Sequence, residues 1–237
     1  MKKNIIEEYI NIITKIQREK VSKTPSGKNF RKSISQKYKL SKLIDWDHYL
    51  SVIYLLEDTE LAKKNFYDFG ISGPTKYDEM GEKYLRLYGI LNAISLQKEA
   101  ILKLIEIFKI NNLKKLSKEL SALKIIIFRN IAASHTVNYN SNDGVKSYML
   151  SRITIDKEKI DFLDEKNQTY HINIINEIEN FNDIIIQLLE SITEKIINTV
   201  YSTEKERKSK YLADLSELRD VRDGKLIISG DIKVSFK

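Results

Sequence analysis

The chain has 237 residues and a net charge of +7, with 31% charged and 42% hydrophobic residues and no cysteine. These proportions are typical of a globular protein and exclude a disordered chain, while the lack of cysteine excludes disulfides, thiolate metal sites and cysteine nucleophiles. No apolar run reaches the roughly 18 residues of a membrane-spanning helix, so we expect a cytoplasmic protein that does not bind membranes.

The first predicted element is a helix that ends near Lys20, because Ile and Tyr recur at three- and four-residue spacing from Ile5 to Ile16. The sequence Thr24-Pro25-Ser26-Gly27 breaks this pattern, so a loop is expected over residues 22–40. We expect residues 1–40, the first helix and this loop, to pack on the remainder of the protein.

The predicted loop belongs to a strongly basic segment. Residues 15–42 contain ten Lys or Arg and one acid, a local charge of +9 that leaves −2 for the rest of the chain. A segment this basic can contact phosphates, and Lys28, Arg31 and Lys32 are the candidate RNA-binding residues. The alternative is a solvated, lysine-rich loop without a ligand.

Four long apolar-periodic stretches follow, and two prolines and eight glycines in the whole chain favour helices. We predict helices over 41–69 and 82–108, a fourth through Leu116 and Ile127 that continues into Arg129, and a last one from Ile172 to about Tyr201. His171 stands at the start of that last helix and is expected to be structural.

Two short segments have β character. Alternating apolar residues before and after 156–159 predict a small hairpin, and residues 226–236 predict a second hairpin at the C-terminus. The predicted fold class is therefore mainly α, a helical bundle with a hairpin after the fourth helix and a C-terminal hairpin. We expect the main helical domain to span 41–204 and an extension to span 205–237.

One short motif carries chemistry. Arg129 and His135 lie six residues apart, in the sequence Arg-Asn-Ile-Ala-Ala-Ser-His at the end of the fourth apolar stretch. This spacing can place a fixed cation beside a group that exchanges protons near neutral pH, which suits cleavage of phosphodiester bonds. The alternative interpretation is structural: an arginine at the edge of a buried helix, and a histidine favoured by the helix dipole.

Two stretches resemble bacterial HEPN-superfamily proteins, a group of helical bundles rich in ribonucleases of toxin–antitoxin and antiviral systems. The first runs from Tyr84 to Ala93 and continues through Gln97 to Ile101; the second is Arg129 to His135. The preceding segment Leu56–Ala62 is also similar to what precedes these helices in such proteins. The resemblance covers roughly residues 42–135.

The resemblance implies a HEPN-like antiparallel bundle that acts as a metal-independent endoribonuclease, with no cofactor and no bound metal. It makes Arg129 and His135 catalytic, and Asn130 a residue that orients the histidine or contacts a phosphate oxygen. Ser134, Tyr139 and Gln97 would support the site. The implied partners are RNA, a second copy of the chain in a homodimer, and a cognate antitoxin or neighbouring defence protein.

A different class of function stays open. The same fold can serve as a non-catalytic helical module that binds RNA or a partner protein, with the Arg–His pair structural or relict. In that case the basic segment, and not the motif, would carry the function. Substitution of the two motif residues separates these hypotheses.

Overall fold

A computed structural model describes residues 4–74, 79–133, 139–141, 144–155, 159–228 and 232–235. Eight helices lie within this part of the chain: α1 (Ile5–Ser22), α2 (Phe30–Lys37), α3 (Ile44–Phe69), α4 (Met80–Ile107), α5 (Leu113–Ser121), α6 (Lys124–Ala133), α7 (Ile174–Val200) and α8 (Lys205–Arg222). The prediction of a mainly helical protein is confirmed.

Seven short strands accompany the helices and are all paired antiparallel. They are β1 (Tyr139–Ser141), β2 (Gly144–Lys146), β3 (Tyr148–Leu150), β4 (Lys159–Asp164), β5 (Thr169–Asn173), β6 (Lys225–Ile228) and β7 (Ile232–Ser235). The order β3-β4-β5 gives a three-stranded sheet, while β1 pairs with β2 and β6 with β7. Both predicted hairpins are present, as β3–β4 and β6–β7.

The described residues fall into two compact units. Unit 1 comprises the described residues within 1–54, 103–111 and 186–237, and unit 2 comprises those within 55–102 and 112–185. In unit 1, α1 buries one face because its apolar residues recur at helical spacing; Tyr9, Ile13 and Ile16 are fully buried. Unit 1 also contains an aromatic cluster of Tyr38, Trp46, Tyr49 and Phe108, with ring centroids 5.3–5.9 Å apart between neighbours.

Unit 2 places α6 against one face of the sheet. The rings of Phe128 on α6 and Phe162 on β4 lie 5.4 Å apart, and Phe162 stacks on Tyr170 of β5 at 5.1 Å. Because side chains alternate along a strand, Asp161 projects from the opposite face. The register pairs Asp161 with His171, which therefore shares that second face.

The structure corrects four predictions. The expected loop over 22–40 contains helix α2, and the expected fourth helix is two helices, α5 and α6, separated at 122–123. Residues 169–173 form strand β5, so the last long helix begins at Ile174 and not at Ile172. The extension over 205–237, for which only a hairpin was predicted, begins with a helix of its own, α8.

Candidate functional site

Helix α6 holds the first part of the Arg–His motif. Five of its ten residues are buried: Ile125, Ile126, Phe128, Ile131 and Ala132. A helix this apolar is stable only inside a core, and the core contacts of Phe128 and Ile131 leave Arg129 and Asn130 half-buried between them. The motif cation is thus held at the margin of a hydrophobic core.

The guanidinium of Arg129 is only partly satisfied. Its Nη1 donates a hydrogen bond to Oδ1 of Asn130 at 3.1 Å. Its Nε is buried and has no hydrogen-bond partner among the described residues. No carboxylate from that part of the chain pairs with it either. A buried donor without an acceptor costs about 1–3 kcal/mol, so Arg129 is suited to receive an acceptor from a ligand.

Four arginines differ from Arg129 because they have carboxylate partners, whereas Arg86, within the described ranges, donates only to oxygens of Gly70 and Asn65. Arg219 donates to Glu190 and to Glu194, at 2.6 Å in each case, and Arg222 also pairs with Glu190. The same holds for Arg31 with Asp47 and for Arg207 with Glu204.

A planar guanidinium offers parallel donors that match the oxygens of a phosphate. Asn130 fixes one edge of the Arg129 group, while the Nε donor has no acceptor among the described residues and is covered by neighbouring atoms. The arrangement can hold an oxyanion and stabilise charge that develops on it. It supplies no group that titrates near neutral pH, a role that the motif predicts for His135.

Two motif residues, Ser134 and His135, lie outside the described residues. Tyr139, which was expected to support the site, is half-buried, and its ring packs edge-on against Tyr148 with centroids 5.7 Å apart. This contact gives Tyr139 a packing role in the sheet region of unit 2.

Gln97, also expected to support the site, belongs to a buried polar cluster. Its Nε2 donates to Oε1 of Glu60 at 2.5 Å, and the ammonium of Lys63 lies 2.5 Å from the same oxygen. Lys63 also donates to Oδ1 of Asn182 at 2.7 Å. All of Gln97 is buried, and its Oε1 has no hydrogen-bond partner among the described residues.

The cluster extends toward the surface to Tyr67, which is 38% exposed and whose hydroxyl accepts a hydrogen bond from Asn182. Burial raises the pKa of Tyr67, and a hydrogen bond to Glu179 raises it further. The hydroxyl is therefore neutral at physiological pH. This cluster ties α3, α4 and α7 together within unit 2, a structural role for Gln97.

The three candidate RNA-binding residues lie on the surface of unit 1. Lys28 and Lys32 are exposed, as is Arg31, whose Nη2 lies 3.2 Å from Oδ1 of Asp47. All three cations are therefore accessible to a ligand, although Arg31 has a partner that partly neutralises it.

A further pair of polar residues was not foreseen. On the face of the sheet opposite α6, Nδ1 of His171 lies 2.6 Å from Oδ1 of Asp161, with the histidine side chain 76% exposed. A predicted turn at 165–167 would have placed Asp161 and His171 opposite each other on neighbouring strands. His171 was instead interpreted as the start of the last helix. The pair projects away from the face that contacts Phe128.

The sequence matches no protein-family model, and searches of curated proteins and of solved structures found no similar protein. None of the helices in the described ranges combines the length and apolar character needed to span a bilayer. Within those ranges, no group of three or more His, Asp or Glu side chains is placed to hold a metal ion.

Proposed function

We propose that this chain is a metal-independent endoribonuclease of a toxin–antitoxin or phage-defence system, with a HEPN-type bundle. The observation that carries the proposal is the environment of Arg129. It is a half-buried cation on α6 that is fixed by Asn130, and its buried Nε lacks a partner in the described part of the chain. A phosphate oxygen would satisfy this donor once the atoms that cover Nε move aside.

In the proposed reaction, the 2′-oxygen of RNA attacks the adjacent phosphorus and the bond to the 5′-oxygen breaks. The products are a 2′,3′-cyclic phosphate and a 5′-hydroxyl. His135 takes the proton from the 2′-hydroxyl or gives one to the leaving 5′-oxygen. Arg129 stabilises the charge on the phosphoryl oxygens, a contribution of about 10²–10³ in rate for one well-placed donor.

The resemblance to HEPN proteins also implies that the chain acts as a homodimer. Two copies of the chain would meet so that both motifs line one site, and the two His135 side chains would then divide the roles of base and acid. An antitoxin or a neighbouring defence protein would restrain the activity. Sedimentation of the purified chain tests the dimer separately from cleavage.

The experiment that tests the function compares wild type and the His135→Ala variant on mixed RNA in excess EDTA. We expect wild type alone to cut, and to leave 2′,3′-cyclic phosphate ends. If neither protein cuts and both are folded, the proposal is wrong. The alternative, a non-catalytic module that binds RNA or a protein, would then be preferred because of the exposed basic residues of unit 1.

A further inference from the structure

A polar cleft of about 300 Å³ lies in unit 1 where three helices end. Its lining comes from the C-terminal ends of α1, α2 and α7 and from the residues that follow them, including Ser202 and Thr203. Four lysines line it: Lys20, Lys23, Lys37 and Lys39. None of these belongs to the Arg–His motif, and none was among the candidate RNA-binding residues.

Three of the four lysines are held in place by the protein. Lys20 is buried, pairs with Glu204, and has its ammonium 4.0 Å from the centre of the Tyr201 ring. Lys23 pairs with Glu19 at 2.7 Å. Lys37 donates to the backbone oxygen of Lys23 and to Oγ1 of Thr24. The positive charge is therefore preorganised.

Lys39 is different, because its side chain is exposed and its ammonium contacts no group in the described part of the chain. It follows α2 in the left-handed backbone conformation, with φ of 51°. Its backbone N–H donates to the oxygen of Gln36, which ends the helix. Lys39 thus has a fixed backbone at the cleft and a free charge.

Helix C-termini favour lysines without any ligand, since each carries about half a negative charge. That effect explains Lys37, which donates to the carbonyl of Lys23, the residue that directly follows α1. The helix dipoles do not account for all four lysines of the cleft. Glu204 in the cleft lining is paired with Lys20, and Glu19, outside the lining, is paired with Lys23, so the positive charge that remains to face the three helix ends is that of Lys37 and Lys39.

We propose that this cleft binds phosphate groups of a single-stranded RNA backbone. A polyanion fits better than a small phosphate ester because the same basic segment carries further exposed cations, Lys28 before α2 and Lys32 on it. Ser202 and Thr203 add exposed hydroxyls that can donate to phosphate oxygens. The identity of the ligand as RNA rests on the proposed function, but the site is distinct from Arg129.

The test uses two matched lysines. Lys109 follows α4 as Lys39 follows α2: it is exposed, has the same φ of 51°, and also lies in unit 1, but it does not line the cleft. Lys39→Gly and Lys109→Gly each remove one charge and place glycine where a left-handed conformation is required. Both variants are expected to fold, which thermal melting checks.

Binding is measured by fluorescence anisotropy with a labelled single-stranded RNA, in the His135→Ala background so that the probe is not cut. We expect Lys39→Gly to weaken binding about three- to fivefold near 0.15 M salt, and to lower the slope of log affinity against log salt by about 0.7, as for one lost phosphate contact. Lys109→Gly should leave the affinity and the salt slope unchanged. Lys39→Arg keeps the positive charge and should bind as the wild type does.

Equal losses in the two glycine variants, or no loss in either, would overturn the cleft as the RNA site. The nuclease proposal is judged separately, by cleavage with His135 intact. If wild type does not cut RNA but Lys39→Gly selectively weakens binding, the cleft stands and the nuclease proposal fails. If wild type cuts and the two glycine variants bind alike, the nuclease stands and the cleft proposal fails.

Discussion

Two cations of unit 2 have opposite surroundings. Lys63 is 1% exposed and is enclosed by the carboxylate of Glu60 and the amide oxygen of Asn182. Arg129 is half-buried, with one neutral partner, Asn130, and a buried Nε that has no acceptor among the described residues. A buried charge is stable when its partners come from the fold, and Arg129 has too few of them. The comparison assigns Lys63 a structural role and agrees with the proposal that Arg129 binds a ligand.

The largest effect is expected for Lys63→Met. Removal of the ammonium leaves the buried carboxylate of Glu60 without the positive charge that faces it, which costs about 3–5 kcal/mol in free energy of unfolding. Urea denaturation of the variant and the wild type measures this difference in the free energy of unfolding. Lys64→Met is the matched control, because that neighbouring lysine is exposed. A cost for Lys63→Met no larger than for the control would contradict the structural role.

The next effect concerns Glu19 in unit 1. Burial opposes its ionisation, but hydrogen bonds from Lys23, Tyr201 and Tyr211 outweigh burial and lower the pKa of Glu19 to about 2. Glu19→Gln is expected to lower the free energy of unfolding at pH 7 by about 1.5–3 kcal/mol, the range for hydrogen bonds to a charged group.

The pH dependence of this loss follows from its sign. Because the folded pKa of Glu19 lies below the unfolded value, the carboxylate stabilises the fold fully above about pH 4.5 and loses that effect as the pH falls toward 2. The difference between wild type and Glu19→Gln should therefore shrink over that window. A difference that stays constant from pH 7 to pH 2 would show that the charge of Glu19 is not what stabilises the fold.

A smaller loss in the free energy of unfolding is expected for Arg219→Met. This side chain is 37% exposed, so its pairs with Glu190 and Glu194 are partly screened and should contribute about 0.2–1 kcal/mol each. Glu190 keeps a second partner in Arg222, which limits the damage. Denaturant melts of the variant check the value, and no destabilisation would mean that the carboxylates are equally well solvated without the arginine.

The smallest effect on stability is expected for the same substitution at Arg129. Arg129→Met retains most of the apolar volume and removes a buried donor that has no acceptor in the described part of the chain, so the free energy of unfolding should change by less than about 1 kcal/mol. A loss as large as that of Lys63→Met would mean that Arg129 is structural after all, and would remove the contrast between the two cations.

Much of the helical fold could be predicted from spacing alone. The helices α3, α4 and α7 are long, and their apolar residues recur at three and four, so their existence and most of their bounds were clear. Helix α2 was missed because it is short and polar, with only Ile34 and Ser35 buried. No proline or glycine marks the break between α5 and α6, which depends on how deeply each helix is buried.

The strand β5 was missed because Ile172 also fits the apolar stripe of the helix that follows it. That error hid the pairing of Asp161 with His171, which only the strand register reveals. For Arg129, the sequence predicted a cation at the edge of a buried helix. It could not predict the buried Nε without a partner, because that depends on which other residues approach it in three dimensions.

The central claim is that Arg129 serves RNA cleavage and not folding. The most direct measurement is single-turnover RNA cleavage in excess EDTA by Arg129→Met, alongside Arg219→Met as the matched substitution. We predict a loss of about 10²–10³ in rate for Arg129→Met at unchanged stability, and wild-type rates for Arg219→Met under conditions where it is folded. Wild-type cleavage by folded Arg129→Met would contradict the account.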